Sequence, residues 1–236
     1  SRGPMAAATV VLATGGLSLP KTGSDGAGLR MAKALGHTIV PTTPALAPLV
    51  LSDSFHAAVS GVALDVELAL RVDGRITERI RGPLLWTHFG ISGPAALDIS
   101  RHWLRARLEG RGALVTASLK PGWSFEAIEA LWTSTARSRP RATLETALAE
   151  HVPASLASAL IAHLGLTAGS RLADLTRDAR RTLAHAMTAL PLPVTDSRGY
   201  NFAEATAGGV ALDEIDPATM RSRICPGLFL VGEMLD

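Results

Sequence analysis

Val62, Leu64, Val66, Leu68, Leu70 and Val72 alternate with Ala63, Asp65, Glu67, Ala69, Arg71 and Asp73. A period of two over this length fits an extended strand with one buried face. Asp73-Gly74 follows, the pair that closes a two-residue hairpin. The return strand carries Ile76 and Ile80, with Glu78 on the same face. A third strand is expected over Leu84–Thr87. Ser92 then reads as a helix cap with Pro94 in the first turn, the helix running to about Leu104. Gly110 and Gly112 flank a turn, and residues 113–119 read as another strand. Antiparallel strands in succession predict a small barrel or sandwich.

On either side of this region the pattern changes. Phe125, Ile128, Leu131 and Trp132 fall at helical spacing, as do Leu156, Leu160 and Leu164. Leu172, Leu175, Ala179, Leu183 and Met187 do the same, so residues 124–188 predict a small helical subdomain. Towards the N-terminus, residues 7–13 read as a short buried strand, because apolar residues run there without alternation. Gly15-Gly16 ends it. A helix is expected over 28–35, with Gly36 as its C-terminal stop. Pro41, Pro44 and Pro48 mark a boundary near 44, and Pro191 and Pro193 mark a return after Leu190. Leu228–Val231 reads as a strand beside Val10–Ala13 in a parallel sheet.

The chain has 236 residues, 47% hydrophobic and 19% charged, enough for a real core. Its net charge is +2, and no run of Lys or Arg interleaves with aromatics, so nucleic acid is not expected as a partner. Lys21, Lys33 and Lys120 are the 3 lysines against 20 arginines, a bias we read as one of codon usage. Cys225 is the single cysteine, which excludes an intrachain disulfide and a thiolate metal site and fits a reducing, cytoplasmic setting. No apolar run is long enough for a membrane span. His37, His56, His102, His151, His163 and His185 show no metal-site spacing and read mostly as surface or helix residues. No Ser/His/Asp or Cys/His arrangement stands out.

Four glycine clusters carry the chemistry. Ala13-Thr14-Gly15-Gly16 ends a strand, where glycines let a ligand approach the backbone. Thr22-Gly23-Ser24-Asp25-Gly26-Ala27-Gly28 precedes a helix, whose N-terminal amides favour a pyrophosphate. Thr206-Ala207-Gly208-Gly209-Val210 suggests a bulge or a close backbone approach. Gly232-Glu233 ends the last strand, where a carboxylate can reach a ribose or ribitol hydroxyl. Each alone also reads as a turn or flexible loop.

In this order the four resemble the FAD-binding parts of two-dinucleotide-binding-domain flavoproteins. The sequence looks most like the bacterial YhiN/BaiN-type, aminoacetone-oxidase-like family, through LATGGLSLPKTGSDGAG (12–28), WTHFGISGPA (86–95), TAGGV (206–210) and PGLFLVGEMLD (226–236). The resemblance implies a mixed α/β (α+β) architecture. A Rossmann-like FAD domain, 1–44 and 191–236, is interrupted by an inserted antiparallel β-barrel (about 45–120) and a helical subdomain (about 121–190). It implies an FAD-dependent oxidoreductase that exchanges a hydride with a small organic substrate, with NAD(P)H or oxygen as second partner. Thr14, Gly15, Gly16, Thr22, Gly23, Gly26, Gly28, Gly208, Gly209, Gly232 and Glu233 would contact FAD. Gly26-Ala27-Gly28 stands where relatives carry Gly-Asp-Gly. The family's G-x-G-x-x-G unit and its last glycine-rich stretch are not in these 236 residues. Weak or no FAD binding is therefore expected of this chain by itself, and FAD is expected in the complete protein.

On the substrate side stand His88, Ser92, Gly93, Tyr200 and Glu204, with Arg198 nearby. Two readings of His88 remain open: a catalytic residue facing the flavin, or a hydrogen-bonded interface residue. Ser92 likewise is a substrate contact or an ordinary cap. A non-catalytic binding module derived from a split flavoprotein is the alternative function, with the 124–188 helices as its partner surface.

Overall fold

A computed structural model describes Gly3 and residues 6–236 of the chain. Its strands are β1 (Val10–Leu12), β2 (Thr43–Ala45), β3 (Leu49–Leu51), β4 (Ala63–Val72), β5 (Arg75–Thr87) and β6 (Gly90–Ser92). β7 (Ala113–Ser118), β8 (Leu190–Leu192), β9 (Val194–Ser197), β10 (Ala205–Ala207) and β11 (Leu228–Leu230) complete the set. The helices are α1 (Ala27–Ala34), α2 (Phe55–Ala58), α3 (Pro94–Leu108) and α4 (Phe125–Ser138), then α5 (Leu144–Leu148), α6 (Ala154–His163) and α7 (Arg177–Ala189). The fold is mixed α/β, as expected. The chain divides into two compact units, Ser1–Ala47 with Arg198–Asp236, and Pro48–Ser197.

The second unit is built on a seven-stranded antiparallel sheet in the order β8-β7-β4-β5-β6-β3-β9. The β4–β5 hairpin forms it as the alternation demands. Val66, Leu68, Leu70 and Val72 are buried, each removal from water stabilising by about 1.5–3 kcal/mol. Asp73 (φ 50°) and Gly74 (φ 81°) close the turn in the left-handed conformations that a type I′ hairpin requires. The register then slips, because Leu70 faces Glu78 while Arg71 faces Ile76. Thr77 is the extra residue of a bulge, and a bulge reverses which face a side chain takes. Ile76 is accordingly exposed, not on the core face expected for it. The separate strand expected over Leu84–Thr87 is the far end of β5. Gly82-Pro83 does not break it, since Pro83 faces Asp65 of β4 and β6 joins β5 only from Leu85 onward. Pro83 therefore needs no N–H towards that second side.

The hydrogen-bonded ladder of this sheet does not close into the expected barrel. Its two outer strands, β8 and β9, are nevertheless consecutive, with Pro193 alone between them. One bent segment thus pairs with β7 before Pro193 and with β3 after it. A continuous core joins the sheet to α2–α7, with Trp86, Trp132, Ile99, Ile128 and Leu156 at 0–1% exposure. Ser124 and Thr176 cap α4 and α7 through their hydroxyls, accepting from Ala127 N and Ala179 N.

The expected Ser92 cap is corrected. Ser92 is a strand residue opposite Leu85. Gly93 (φ 86°) is the N-cap of α3, which makes no side-chain cap bond and continues to Leu108. A Cβ on Gly93 would lie 3.0 Å from Leu85 N and Pro83 O, so the tight passage from β6 into α3 selects glycine.

The first unit is smaller. β1 and β11 run parallel in the register Val10↔Leu228, Val11↔Phe229, Leu12↔Leu230. β2 and β10 pair antiparallel, Thr43↔Ala207 to Ala45↔Ala205. Leu29, Ala32, Val210, Ile215, Leu228, Leu230 and Met234 form the core. The apolar residues of β1 are exposed, Val10 at 47% and Val11 at 58%, because β11 is its one partner among the described residues. α1 ends at Gly36 (φ 97°), with Gly36 N donating to Lys33 O and His37 N to Ala32 O. No helix of the described residues is long and apolar enough to cross a membrane.

Candidate functional site

β1 and β11 are parallel, so the loops that leave their C-terminal ends emerge at one edge. These loops are Ala13–Gly16 and Gly232-Glu233. There they meet Thr206 of β10. The Thr206 hydroxyl accepts from Leu17 N at 2.8 Å and Ser18 N at 3.1 Å, and shares a 3.1 Å hydrogen bond with Ser18 Oγ. Its backbone N–H donates to Glu233 Oε1 at 2.7 Å. One threonine thus ties three of the four glycine clusters together. A Cβ on Gly16 would stand 2.4 Å from Thr206 Oγ1, so glycine is what lets this junction close.

The fourth cluster joins through α1. A Cβ on Gly28 would collide with Thr14 Oγ1, which places the first turn of α1 directly on the Thr14-Gly15 turn. Gly26 (φ 76°) is the N-cap. The helix end already carries a carboxylate: Asp25 Oδ1 accepts from Ala27 N at 2.8 Å, and Asp25 also contacts Arg30. Gly208 and Gly209 pack on backbone, since a Cβ would lie 2.5 Å from Pro41 O and from Met234 O respectively. That close approach is between protein segments, one of the two outcomes expected for the pair. Thr22 donates to Leu19 O at 2.8 Å within the turn Pro20–Thr22.

Three features fit an extended polar ligand such as FAD along this edge. Gly23 and Gly232 have open space where a Cβ would be. Glu233 is exposed, and Thr206 holds one of its oxygens while the other is not so engaged. Thr43 Oγ1, opposite Ala207, is buried with no partner.

Of the substrate-side candidates, Tyr200 donates its hydroxyl to Thr42 Oγ1 at 2.9 Å, and its carbonyl accepts from Leu19 N at 2.9 Å. Glu204 is exposed, with its N–H on Leu46 O. His88, Ser92 and Gly93 belong to the second unit. His88 is exposed in the turn between β5 and β6, its ring edge-on to Phe89. Its carbonyl accepts from His56 Nε2 at 3.2 Å, while His56 Nδ1 lies 3.3 Å from Asp53.

His37 is buried outside any helix, unlike the surface or helix position expected of it, and His56, also buried, lies on helix α2. His37 Nδ1 lies 2.8 Å from Glu214 Oε2, and Nε2 lies 2.8 Å from Ser222 Oγ. The order of groups is that of a Ser-His-acid triad. Ser222 Oγ already accepts from Ile224 N (3.0 Å) and Cys225 N (2.7 Å), so both its lone pairs are held. Its hydroxyl therefore donates to Nε2, Nδ1 donates to Glu214, and the serine has no electron pair with which to attack. The trio is a clasp between segments 177 and 185 residues apart, a separation that no sequence pattern reveals. Among the described residues no group of three or more His, Cys, Asp or Glu side chains could hold a metal ion.

The Thr38 hydroxyl and N–H, then His37, hold the Glu214 carboxyl below the usual carboxylate range. A lowered folded-state value stabilises the fold above the ordinary glutamate pKa of about 4.3, and the gain is lost as pH falls through the folded value. Glu214→Gln should therefore flatten the acid limb of the stability curve. Urea titrations of both proteins across pH 3–6 (roughly) measure it, and parallel curves would contradict the clasp.

The model of the HI0933-like protein barrel and H2TH domain matches residues 43–205. The chain is 30% identical over 227 residues to the 3-dehydro-bile acid delta(4,6)-reductase of Clostridium scindens, which covers 96% of this chain and 56% of that protein. It is 31% identical over 230 residues to the ribosomal RNA dihydrouridine synthase of Escherichia coli, covering 96% and 54%. The ribosomal RNA dihydrouridine synthase of Haemophilus influenzae is 30% identical over 229 residues, with the same coverage. The chain thus spans about half the length of the curated relatives it matches.

Proposed function

We propose, from the premise that this chain belongs to the HI0933-like family of flavoproteins, that the complete protein is an FAD-dependent reductase of carbon–carbon double bonds conjugated to a carbonyl. That bond is common to a 3-dehydro-Δ4,6 bile acid and to uridine, the compounds in the relatives' names. The observation that carries the reading is the junction of Thr206 with Ala13–Gly16 and Glu233 at the C-terminal edge of a parallel strand pair. Bound there, FAD would supply the hydride.

The chain's own residues orient and position. Thr14, Gly15 and Gly16, with Gly208 and Gly209, form the wall along which the cofactor would lie. Thr22, Gly23, Gly26 and Gly28 shape the turn before α1, and Asp25 would have to yield for a phosphate to use that helix end. Gly232 opens the space beside Glu233, whose carboxylate would accept hydrogen bonds from ribityl hydroxyls. Tyr200 and Glu204 are the proposed substrate-side groups of the first unit, and His88, Ser92 and Gly93 are those proposed, separately, for the second. NAD(P)H is the proposed reductant, and the substrate is a small molecule or a single base. The purified full-length protein should carry a flavin absorbance that bleaches anaerobically with NADH or NADPH. A colourless full-length protein that gains no flavin on refolding with FAD would refute the reading and favour a binding module.

A further inference from the structure

The His56 side chain is 7% exposed, and both of its ring nitrogens face oxygen. Nδ1 is 3.3 Å from Asp53 Oδ1, and Nε2 is 3.2 Å from the His88 carbonyl. A carboxylate and a carbonyl only accept, so the ring serves both when each nitrogen carries a proton. A neutral imidazole can donate to one of them and not to the other. The doubly protonated ring and Asp53 form an ion pair, which offsets the cost of a buried charge. The carbonyl that His56 holds belongs to the turn between β5 and β6. β3 grips that turn at two further points. Leu51 N donates to Phe89 O at 3.1 Å, and a Cβ on Gly90 would collide with Leu49 O. The His88 and Phe89 carbonyls are thus both held, while the His88 ring stays exposed. Of these three contacts, the one to His56 depends on a proton. Among the elements packed on α2, β6 carries no titratable side chain, and β5 ends there in Trp86 and Thr87. α6 brings His163, whose ring lies 4.9 Å from that of Phe55. Asp53, His88 and His163 are therefore the titratable groups around His56.

We propose that Asp53 and His56 are positioning residues for the β5–β6 turn, and that they fix the backbone beneath His88 while the His56 ring is doubly protonated. When one proton leaves, the carboxylate retains the proton on Nδ1, because a charge-assisted hydrogen bond is the stronger of the two. Nε2 then turns a lone pair towards the His88 carbonyl, and the turn loses that contact. The presentation of the exposed His88 ring thus follows the protonation of a buried neighbour. Its link to a reaction rests on the reductase reading, whereas the clamp rests on the Asp53–His56–His88 contacts alone.

A pH titration of the ¹⁵N-labelled chain tests it, following the His56 ring nitrogens and the Leu51, Phe89 and Gly90 amides. On the acid side both ring nitrogens should report N–H, and the three amides should move together with the ring. Asp53→Asn should hold these amides at their acid-side positions throughout, because its amide can donate to Nδ1 and leave the proton on Nε2. His88→Ala and His163→Gln should keep the native transition, since the clamp uses the His88 carbonyl and not either ring. His56→Ala should speed exchange at Leu51 N about tenfold, as loss of one charge-assisted hydrogen bond does. His56→Gln, whose amide N–H can reach the same carbonyl, should stay within about threefold. If His56→Ala does not fold, Asp53→Asn decides. A His56 ring with one proton at every pH, or turn amides that titrate with His88 or His163, overturns the clamp. So does an Asp53→Asn chain that titrates like the native one. In the full-length protein, the pH profile of kcat/KM with NADPH and cyclohexenone as probes should lose one limb in Asp53→Asn, with flavin content unchanged. A profile that Asp53→Asn leaves intact overturns the positioning role and spares the reductase reading. A full-length protein without flavin removes the reductase reading, and the spectra still decide the clamp.

Discussion

Gly208→Ala should destabilise the first unit by about 2–5 kcal/mol, combining the left-handed penalty of a non-glycine residue with overpacking. Gly208 has φ 86°, and a Cβ there would stand 2.5 Å from Pro41 O and 3.0 Å from Pro41 C and Thr42 Cα. All three are backbone atoms, so no side chain can swing aside. Relief would require parting β10 from β2, whose pairing spans Ala205–Ala207. Hydrogen exchange reads the effect locally: Val40 N, which donates to Gly209 O at 2.7 Å, should lose protection, while the β4–β5 amides should not. A variant within about 0.5 kcal/mol of the native chain, the range of an ordinary surface substitution, would mean that the backbone is not packed as described.

Thr206→Val should cost about 2–4 kcal/mol. The change is nearly isosteric, yet it leaves Leu17 N and Ser18 N without their acceptor, at about 1–3 kcal/mol for each buried orphan. Thr206→Ser keeps the hydroxyl and should lie close to the native chain. Urea unfolding monitored by exchange at Leu17 and Ser18 separates the two variants. If serine and valine were equally damaging, the methyl group and not the hydroxyl would be what matters. The loss should extend to the Glu233 side, because Thr206 N holds that carboxylate at 2.7 Å.

Much of this architecture is legible in the sequence where one local rule governs. The alternation from Val62 to Val72 specifies β4, and Asp73-Gly74 specifies its turn. Gly36 marks the end of α1, and the helical spacing after Phe125 marks α4. What escapes is fixed by distant partners. The Thr77 bulge depends on β4's register, so Ile76 misleads. Pro83 sits within β5 because β6 begins to pair two residues later. Ser92 has the composition of a cap, but the passage between β6 and α3 falls on Gly93. In the site, the four glycine clusters are visible as sequence, whereas the residue that joins them, Thr206, reads only as the start of TAGGV. His37, Glu214 and Ser222 carry no mutual signal, since their hydrogen bonds cross most of the chain.

The most direct test of the cofactor reading is hydrogen exchange of the full-length protein with and without FAD, since weak or no binding is expected of this chain by itself. Within the present chain, new protection should then be confined to Thr14–Gly16, Thr22–Gly28, Thr206–Gly209 and Gly232-Glu233. Protection that leaves these four segments unchanged, or that falls only within Pro48–Ser197, would contradict it.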